Sequence, residues 1–271
     1  MQLMFIPIHE NHAIEEVLLS VNLLGQFNTE GNIAEVELKN LPGSKMAIRY
    51  QHEIKGEFKK QTQVSHEHHS NIIGVQFLQN SGEETNNKIK IAQGVVLENW
   101  GLDACNLTFV TTYYDNWNIV IEQFKAICLE LASIYNLHYP IGSYTLVYRD
   151  RFKWKGNVDD FSISEGINPN SEYFPRKLMS RDKAQLIIDT SGELESNREI
   201  RDNLNISFSK ELGELKVSHS GTRISSKTRS IEKSIEEKKF DDFFEQAHDY
   251  NKSILNDILH KSLIEIIHLN S

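Results

Sequence analysis

A short histidine-rich stretch holds the side chains of this sequence that most resemble metal ligands. His66, Glu67, His68 and His69 follow one another directly. A transition-metal site needs three or four converging ligands, and on a strand only His66 and His68 project from the same face. The stretch therefore favours a solvated polar segment, with His66 and His68 as weak candidate ligands. We predict neither a metal nor a cofactor.

Basic and aromatic residues alternate along one strand-like segment: Tyr148, Arg149, Arg151, Phe152, Lys153, Trp154 and Lys155. On a strand the basic residues share one face. Aromatic rings beside Arg or Lys can stack on bases, so Tyr148, Arg149, Arg151 and Lys153 are candidate binders of single-stranded nucleic acid. The same alternation is typical of a half-buried strand whose basic face meets solvent or carboxylates. We favour this second interpretation.

A second basic group lies in a segment with the glycines and prolines of a loop, and consists of Arg176, Lys177, Arg181 and Lys183. Loops carry binding residues more often than cores do, although four charges in a loop are commonly just solvated. This group completes the candidate nucleic-acid surface, and a nuclease-like effector is the alternative function that it supports.

Catalytic signatures are absent from the sequence. It contains no glycine-rich phosphate loop, no GxSxG, no HExxH and no paired CxxC. Cys105 and Cys128 lie in apolar patterns, and we interpret them as buried free thiols. These observations lean against an enzyme, although residues that converge only in the folded chain remain an open possibility.

The elements that must position these residues follow from hydrophobic periodicity. Alternating or continuous apolar runs predict strands in the first half at 16–24, 33–39, 45–51, 72–79, 88–98, 105–114 and 142–154. Helical spacing predicts one helix at 117–137, capped by Asp115 or Asn116. Further strands are predicted at 184–190, 203–209 and 214–219.

The last segment has the strongest helical pattern. Apolar residues recur at helical spacing from Phe240 to Ile267, and Ser234 with Glu237 has the spacing of a capping box. We predict one continuous helix over 234–268, roughly 50 Å long. Its apolar face is wide, so we expect Ile258, Leu263 and Ile267 to make contacts between lobes or between subunits.

Composition fits an ordinary folded chain. The 271 residues carry a formal net charge of −9, which makes general nucleic-acid binding less favourable. No apolar run is long enough for a membrane span, and the first residues lack the basic start of a signal peptide. We expect a cytoplasmic protein without a membrane association.

Five short segments, by their order and spacing, resemble an uncharacterised, sporadically distributed bacterial protein family of unknown function. They are 12–21, 88–94, 114–117, 146–152 and 247–259. Tyr148 and Arg151 match the family pattern, whereas Val147 replaces an arginine and Asp150 an asparagine. The resemblance implies a two-lobed α+β protein encoded near mobile or phage-defence genes. It brings no catalytic residues.

Together the patterns predict an α+β protein in three parts. Residues 1–155 form a mainly antiparallel sheet with the helix 117–137, 156–183 form a linker or functional loop, and 184–271 form a smaller antiparallel sheet with the long helix. The function that we predict is non-enzymatic binding or assembly, as an accessory component of a phage-defence system. The expected partner is another protein or a second copy in a dimer, and nucleic acid is the alternative.

Overall fold

The computed structural model describes residues 4–9, 12–29, 33, 35–56, 66–85, 88–194, 198–225 and 229–267, without the side chains of 52–70, 82–90 and 193–199. The strands are β1 (Phe5–Pro7), β2 (Ile14–Leu23), β3 (Lys45–Gly56), β4 (His66–Thr85), β5 (Lys88–Trp100), β6 (Ala104–Thr111), β7 (Ile141–Trp154), β8 (Lys183–Leu194), β9 (Arg198–Ser209) and β10 (Glu214–Ile224). The helices are α1 (Trp117–Tyr135), α2 (Ile231–Glu236), α3 (Lys239–Ile258) and α4 (Lys261–Ile266). This confirms the α+β class.

The ten strands form one antiparallel sheet, in the order β3-β4-β5-β6-β2-β7-β10-β9-β8, with β1 paired to β7. The predicted division into a larger and a smaller sheet is therefore corrected. β7 is the joining strand, because it pairs with β2 on one side and with β10 on the other. Periodicity identified these strands except β1, but it carries no information about which strands pair.

The predicted strand at 33–39 is also corrected, since 35–38 lie outside any strand. Leu38 and Leu41 are fully buried there, which explains the apolar spacing. The backbone N–H groups of Lys39 and Asn40 donate to the Glu130 carboxylate, with N to O distances of 2.7 and 3.0 Å. The Glu130 side chain of α1 thus accepts backbone hydrogen bonds that a neighbouring strand would accept if this segment were a strand.

Helix α1 begins and ends at residues with clear capping geometry. The Asn116 side chain accepts a hydrogen bond from the Ile119 N–H at 3.0 Å, so it is the predicted cap. Asn136 ends the helix with a left-handed backbone, at φ 52°. The apolar face of α1 is buried against the sheet, as its 3.6-residue periodicity predicted.

The predicted helix at 234–268 is corrected to three helices. Lys238 takes a left-handed φ of 57° between α2 and α3, and Leu259 is extended and bridges to Ile167 between α3 and α4. The capping box at Ser234 is wrong, because Ser230 caps α2 instead. Ser234 is buried, and its Oγ lies 2.6 Å from the Tyr144 hydroxyl.

Two hydrophobic clusters, the first core and the second core, lie under these helices. The first core is formed by strands β2, β4, β5, β6 and β7 together with α1, α2 and the start of α3. It includes Phe124, Tyr148 and Phe244. The second core joins β1, β7, β9 and β10 with the end of α3 and with α4. Helix α3 packs on both cores, so it links the two ends of the sheet.

The predicted linker at 156–183 packs on the second core, where it buries Ile163, Ile167 and Phe174. It contains three short 3-10 turns. The Asp257 carboxylate of α3 holds it by accepting from the Ser171 hydroxyl at 2.5 Å and from the Glu172 N–H at 3.1 Å. This segment thus covers the second core, as α1 covers the first core. None of the described helices is both long and apolar enough to cross a membrane.

Candidate functional site

A polar gap separates the two cores. On β7, Tyr148 belongs to the first core and Phe152 to the second, and Asp150 lies between them on the same face. On α3, His248 and Asn251 occupy the matching interval between apolar residues of the two cores. A strand places alternate residues on one face and a helix places residues three or four apart on one face. The two patterns therefore put these polar side chains opposite each other.

The gap contains a cavity of about 490 Å³. It lies between the start of β2, the β6–α1 connection, β7, α3 and the end of α4. Its lining residues are His12, Ala13, Ile14, Tyr114, Asp115, Asn116, Trp117, Asn118, Tyr148, Asp150, His248, Asn251, Lys252, Leu255 and Ile267. The volume is within the range of small-molecule sites in proteins.

Asp150 is the most unusual residue of the cavity. It is 3% exposed, and within the described residues its carboxylate forms no hydrogen bond or ion pair. Burial penalises the charged form of a carboxyl group, and it raises the pKa of Asp150 to about 7. The site therefore holds a carboxyl group that is close to its protonation midpoint at neutral pH.

His248 forms the opposite wall of the cavity with two aromatic partners. Its Nδ1 lies 2.8 Å from the Tyr148 hydroxyl, and its ring stacks on Trp117 with centroids 4.6 Å apart and planes 8° apart. Burial, followed by the nearby charge of Lys252, lowers the pKa of His248 to about 4. Burial also raises the pKa of Tyr148 well above its usual value. Both side chains are thus neutral at physiological pH.

Three buried polar atoms of the lining residues have no hydrogen-bond partner among the described residues. They are His12 Nδ1, Trp117 Nε1 and Asn251 Oδ1. Buried polar atoms in folded proteins are almost always paired, with protein groups, with ordered water or with a ligand. The side chains that line the cavity thus contain one unpaired indole N–H donor, one unpaired amide acceptor and one unpaired ring nitrogen, in addition to the Asp150 carboxylate.

The basic residues predicted on β7 lie on the opposite, exposed face of the strand. Arg149 pairs with Glu16 of β2. Arg151 pairs with Glu15 at an N to O distance of 2.8 Å and also with Glu214 of β10. Lys153 is exposed beside them. Cross-strand carboxylates thus neutralise the two arginines, while Tyr148 faces the core and lines the cavity.

The predicted basic loop group is spread over different elements. Arg176 donates to the Pro169 carbonyl at 3.0 Å and to the Asn170 side chain at 2.7 Å, so it braces its own loop. Lys177 and Arg181 are exposed, and Lys183 begins the edge strand β8. The structure does not bring this group into the cavity.

The predicted contact residues of the last helix fall into two classes. Ile258 and Leu263 are fully buried in the second core. Ile267 is half-buried, packs against that core and lines the cavity. The side chains of His66 and His68 lie outside the described residues. Among the described side chains, no group of three His, Cys, Asp or Glu residues could hold a metal ion.

Most of the cavity residues were missed by sequence reasoning. Two signals could have indicated them. Asp150 is a charged residue on the aromatic face of an alternating strand, and Asn251 interrupts the apolar stripe of α3. A polar residue at a core position lowers the stability of the fold unless it has a hydrogen-bond partner, so its presence points to a partner or a function. No protein family, curated protein or solved structure matches this chain.

Proposed function

We propose that this chain is a non-enzymatic binding protein whose ligand is a small polar molecule held in the cavity between the two cores. One observation carries the proposal, namely the buried Asp150 carboxyl group without a partner among the described residues. An unpaired buried carboxylate lowers the stability of a fold by several kcal/mol. A binding site supplies the reason to retain it, because a ligand can provide the missing partner.

The walls of the cavity support the same proposal. The Asn251 and Trp117 side chains add an acceptor and a donor that the described residues leave unused. The Tyr114 and Tyr148 rings meet edge to face at 6.3 Å, and the stacked Trp117 and His248 rings fix the adjoining wall. A rigid aromatic wall with a few unpaired polar atoms is typical of a preorganised ligand site.

A screen of thermal stability tests this proposal. The wild-type chain and Asn251→Leu, which removes the amide and fills part of the cavity, are melted with small polar molecules of differing charge. Asp103→Asn serves as the control, since Asp103 is exposed and lies outside the cavity lining. We expect some compounds to stabilise the wild type and the control but not Asn251→Leu. Stabilisation of all three chains alike, or of none, contradicts the proposal.

A catalytic role is the second candidate, and the pKa of Asp150 favours it. A general base is most effective when its pKa lies near the working pH, and that of Asp150 is about 7. Ligands from the screen can be followed by NMR during long incubation. Conversion that Asp150→Asn abolishes would establish an enzyme, and unchanged ligand supports binding alone.

Nucleic-acid binding has weaker support, because Arg149 and Arg151 are already paired with Glu16, Glu15 and Glu214. Assembly with a second copy or another protein stays a prediction that rests on the half-buried Ile267. Light scattering on the wild type and on Ile267→Ser tests it. A change from dimer to monomer in the variant supports assembly, and an identical mass for both chains contradicts a role for this residue.

A further inference from the structure

We infer that the cavity binds a small cation, a primary amine or an amidine, whose N–H groups donate to the Asp150 carboxylate and to Asn251 Oδ1. This inference rests on the proposed binding function and names its ligand class. The Asp150 carboxylate and the Asn251 amide oxygen are both hydrogen-bond acceptors. The two residues are each 3% exposed, and Asn251 Oδ1 has no partner among the described residues. A neutral ligand could satisfy the amide oxygen, but only a cation also neutralises the carboxylate.

Among the described residues, no basic side chain pairs with the Asp150 carboxylate. Lys252 is the single Lys or Arg among the residues that line the cavity, and among the described residues it forms no ion pair with Asp150. The other positive charges near β7, on Arg149 and Arg151, project from the opposite face and are paired with glutamates. Nothing that the structure describes therefore takes the position that a ligand cation would occupy.

Aromatic rings add a second attraction for the same class of ligand. Tyr114 and Trp117 line the cavity beside Asp150, and one face of the Trp117 ring is covered by His248. The faces of tyrosine and tryptophan attract ammonium and guanidinium-like groups, most strongly where water is excluded. The unpaired Trp117 Nε1–H is a donor, so the best ligands also carry one acceptor atom outside their cationic group. A carboxylate, an amide oxygen and aromatic faces together are complementary to an amine or an amidine.

The protonation state of Asp150 links binding to pH. Burial keeps this carboxyl group largely protonated below about pH 7, and a cation binds the ionised form, so binding below that pH must release a proton. The titratable or charged residues that line the cavity with Asp150 are His12, just before β2, Tyr114 and Asp115, before α1, Tyr148 of β7, and His248 and Lys252 of α3. Burial lowers the pKa of both histidines and raises those of both tyrosines. Asp150 is therefore the cavity group whose titration dominates above pH 6.5.

Three probes of nearly the same shape test the inference by calorimetry: benzamidine is cationic, benzamide neutral and benzoate anionic. Benzylamine represents the amines. We expect benzamidine or benzylamine to bind at least about tenfold more tightly than benzamide at pH 8, because charge-assisted hydrogen bonds to a buried carboxylate are the stronger kind. Asp150→Asn should remove that preference, and Asp103→Asn, which removes an exposed carboxylate outside the cavity lining, should retain it. Between pH 6.5 and 8 the wild-type affinity for the cation should rise, with proton release at the lower pH.

The outcomes separate the two proposals. If benzamide or benzoate binds in an Asn251-dependent manner while both cations do not, the cavity is a ligand site and the inference of a cationic ligand is wrong. If the cations bind equally well to Asp150→Asn, the carboxylate is not their partner, and the inference is again wrong. If no probe and no member of the broader screen binds, the proposed binding function itself fails. Circular dichroism of each variant verifies that it is folded.

Discussion

Two aspartates on the same face of one sheet, Asp150 buried and Asp202 half-buried, have opposite surroundings. Asp202 of β9 pairs with Arg223 of β10 at an N to O distance of 3.0 Å and lies 3.5 Å from His219 Nε2. Asp150 of β7 has no such partner among the described residues. Burial alone raises the pKa of both carboxyl groups, but at Asp202 the neighbouring His219 ring and Arg223 guanidinium outweigh burial and lower the pKa.

The difference is that the protein supplies a charged partner for Asp202, whereas none of the described residues supplies one for Asp150. At Asp202 the ion pair is closed by neighbouring strands, and the Tyr250 ring of α3 covers it, with the Arg223 guanidinium carbon 5.8 Å from the ring centre. At Asp150 the same helix contributes His248 and Asn251 but no cation that pairs, and a cavity remains. The position of the missing partner is the strongest indication of function in the molecule.

The largest expected effect comes from Asp150→Asn, which replaces the unpaired carboxylate by a neutral group of the same shape. At pH 8 we expect this variant to be more stable than the wild type by on the order of 3 kcal/mol, since one pKa unit corresponds to about 1.4 kcal/mol. Urea denaturation at pH 8 measures it. Near pH 4 the wild-type side chain is protonated and the difference should vanish.

The sign of this pH dependence follows from the direction of the shift. The folded-state pKa of Asp150 is raised to about 7 from the ordinary value of 3.8, so the folded chain binds the extra proton between these values. The contribution of Asp150 to stability is therefore lost as the pH rises from about 4 to 7. A gain in Asp150→Asn that is independent of pH would show that the carboxylate has a partner after all.

Arg223→Met makes Asp202 resemble Asp150, because it removes the charge that pairs with the half-buried carboxylate. We expect a loss of roughly 2 kcal/mol at pH 7, below the full cost of breaking a buried pair, since Asp202 and Arg223 retain 12% and 16% side-chain exposure. The double variant Arg223→Met with Asp202→Asn should recover part of this loss. Denaturation curves of the three chains measure both effects.

Tyr148→Phe tests how far the wall of the cavity depends on its hydrogen bond to His248. The ring stays in the first core, while the hydroxyl is lost together with its 2.8 Å contact to Nδ1 and its interaction with Tyr114. We expect a destabilisation of about 1 kcal/mol. Ser234→Ala, which removes the corresponding contact to the Tyr144 hydroxyl at 2.6 Å, is the matched control within the first core. A much larger effect at Tyr148 alone would indicate that the cavity collapses.

Arg149→Gln should have the smallest effect. This arginine is 53% exposed in its side chain, and it pairs with Glu16 on the open face of the sheet. Exposed ion pairs contribute about 0 to 1 kcal/mol, so we expect a change below about 0.5 kcal/mol. Nucleic-acid binding is measured on the same variant by gel shift at low salt. A loss of binding there would revive the basic face as a functional surface.

Sequence reasoning located most elements of the fold but not their connections. The strands at 16–24, 105–114 and 142–154 and the helix at 117–137 all appear, with shifts of a few residues at their ends. Local periodicity reports which face of an element is apolar, and so it found them. It does not report pairing, and this is why one sheet was predicted as two.

The last helix illustrates the same limit. The predicted helix includes Lys238, and its apolar spacing runs through Leu259, yet the helix is interrupted at both residues. At Lys238 the backbone turns left-handed, and at Leu259 it becomes extended to pair with Ile167 of the distant loop. Hydrophobic periodicity continues across both breaks because the next segment buries residues in the same cores. Only long-range contacts decide where the helix stops.

The sequence by itself determined the α+β class, the alternating strands, the start of α1 and the apolar positions from Phe240 onward, since each depends on residues close together along the chain. The tertiary structure alone decided that Asp150 and Asn251, which are 101 positions apart in the sequence, line one cavity. It also decided that Arg223 reaches Asp202 while no basic residue of the described chain pairs with Asp150. Charge pairing is set by distance through space, and local sequence patterns do not encode that distance.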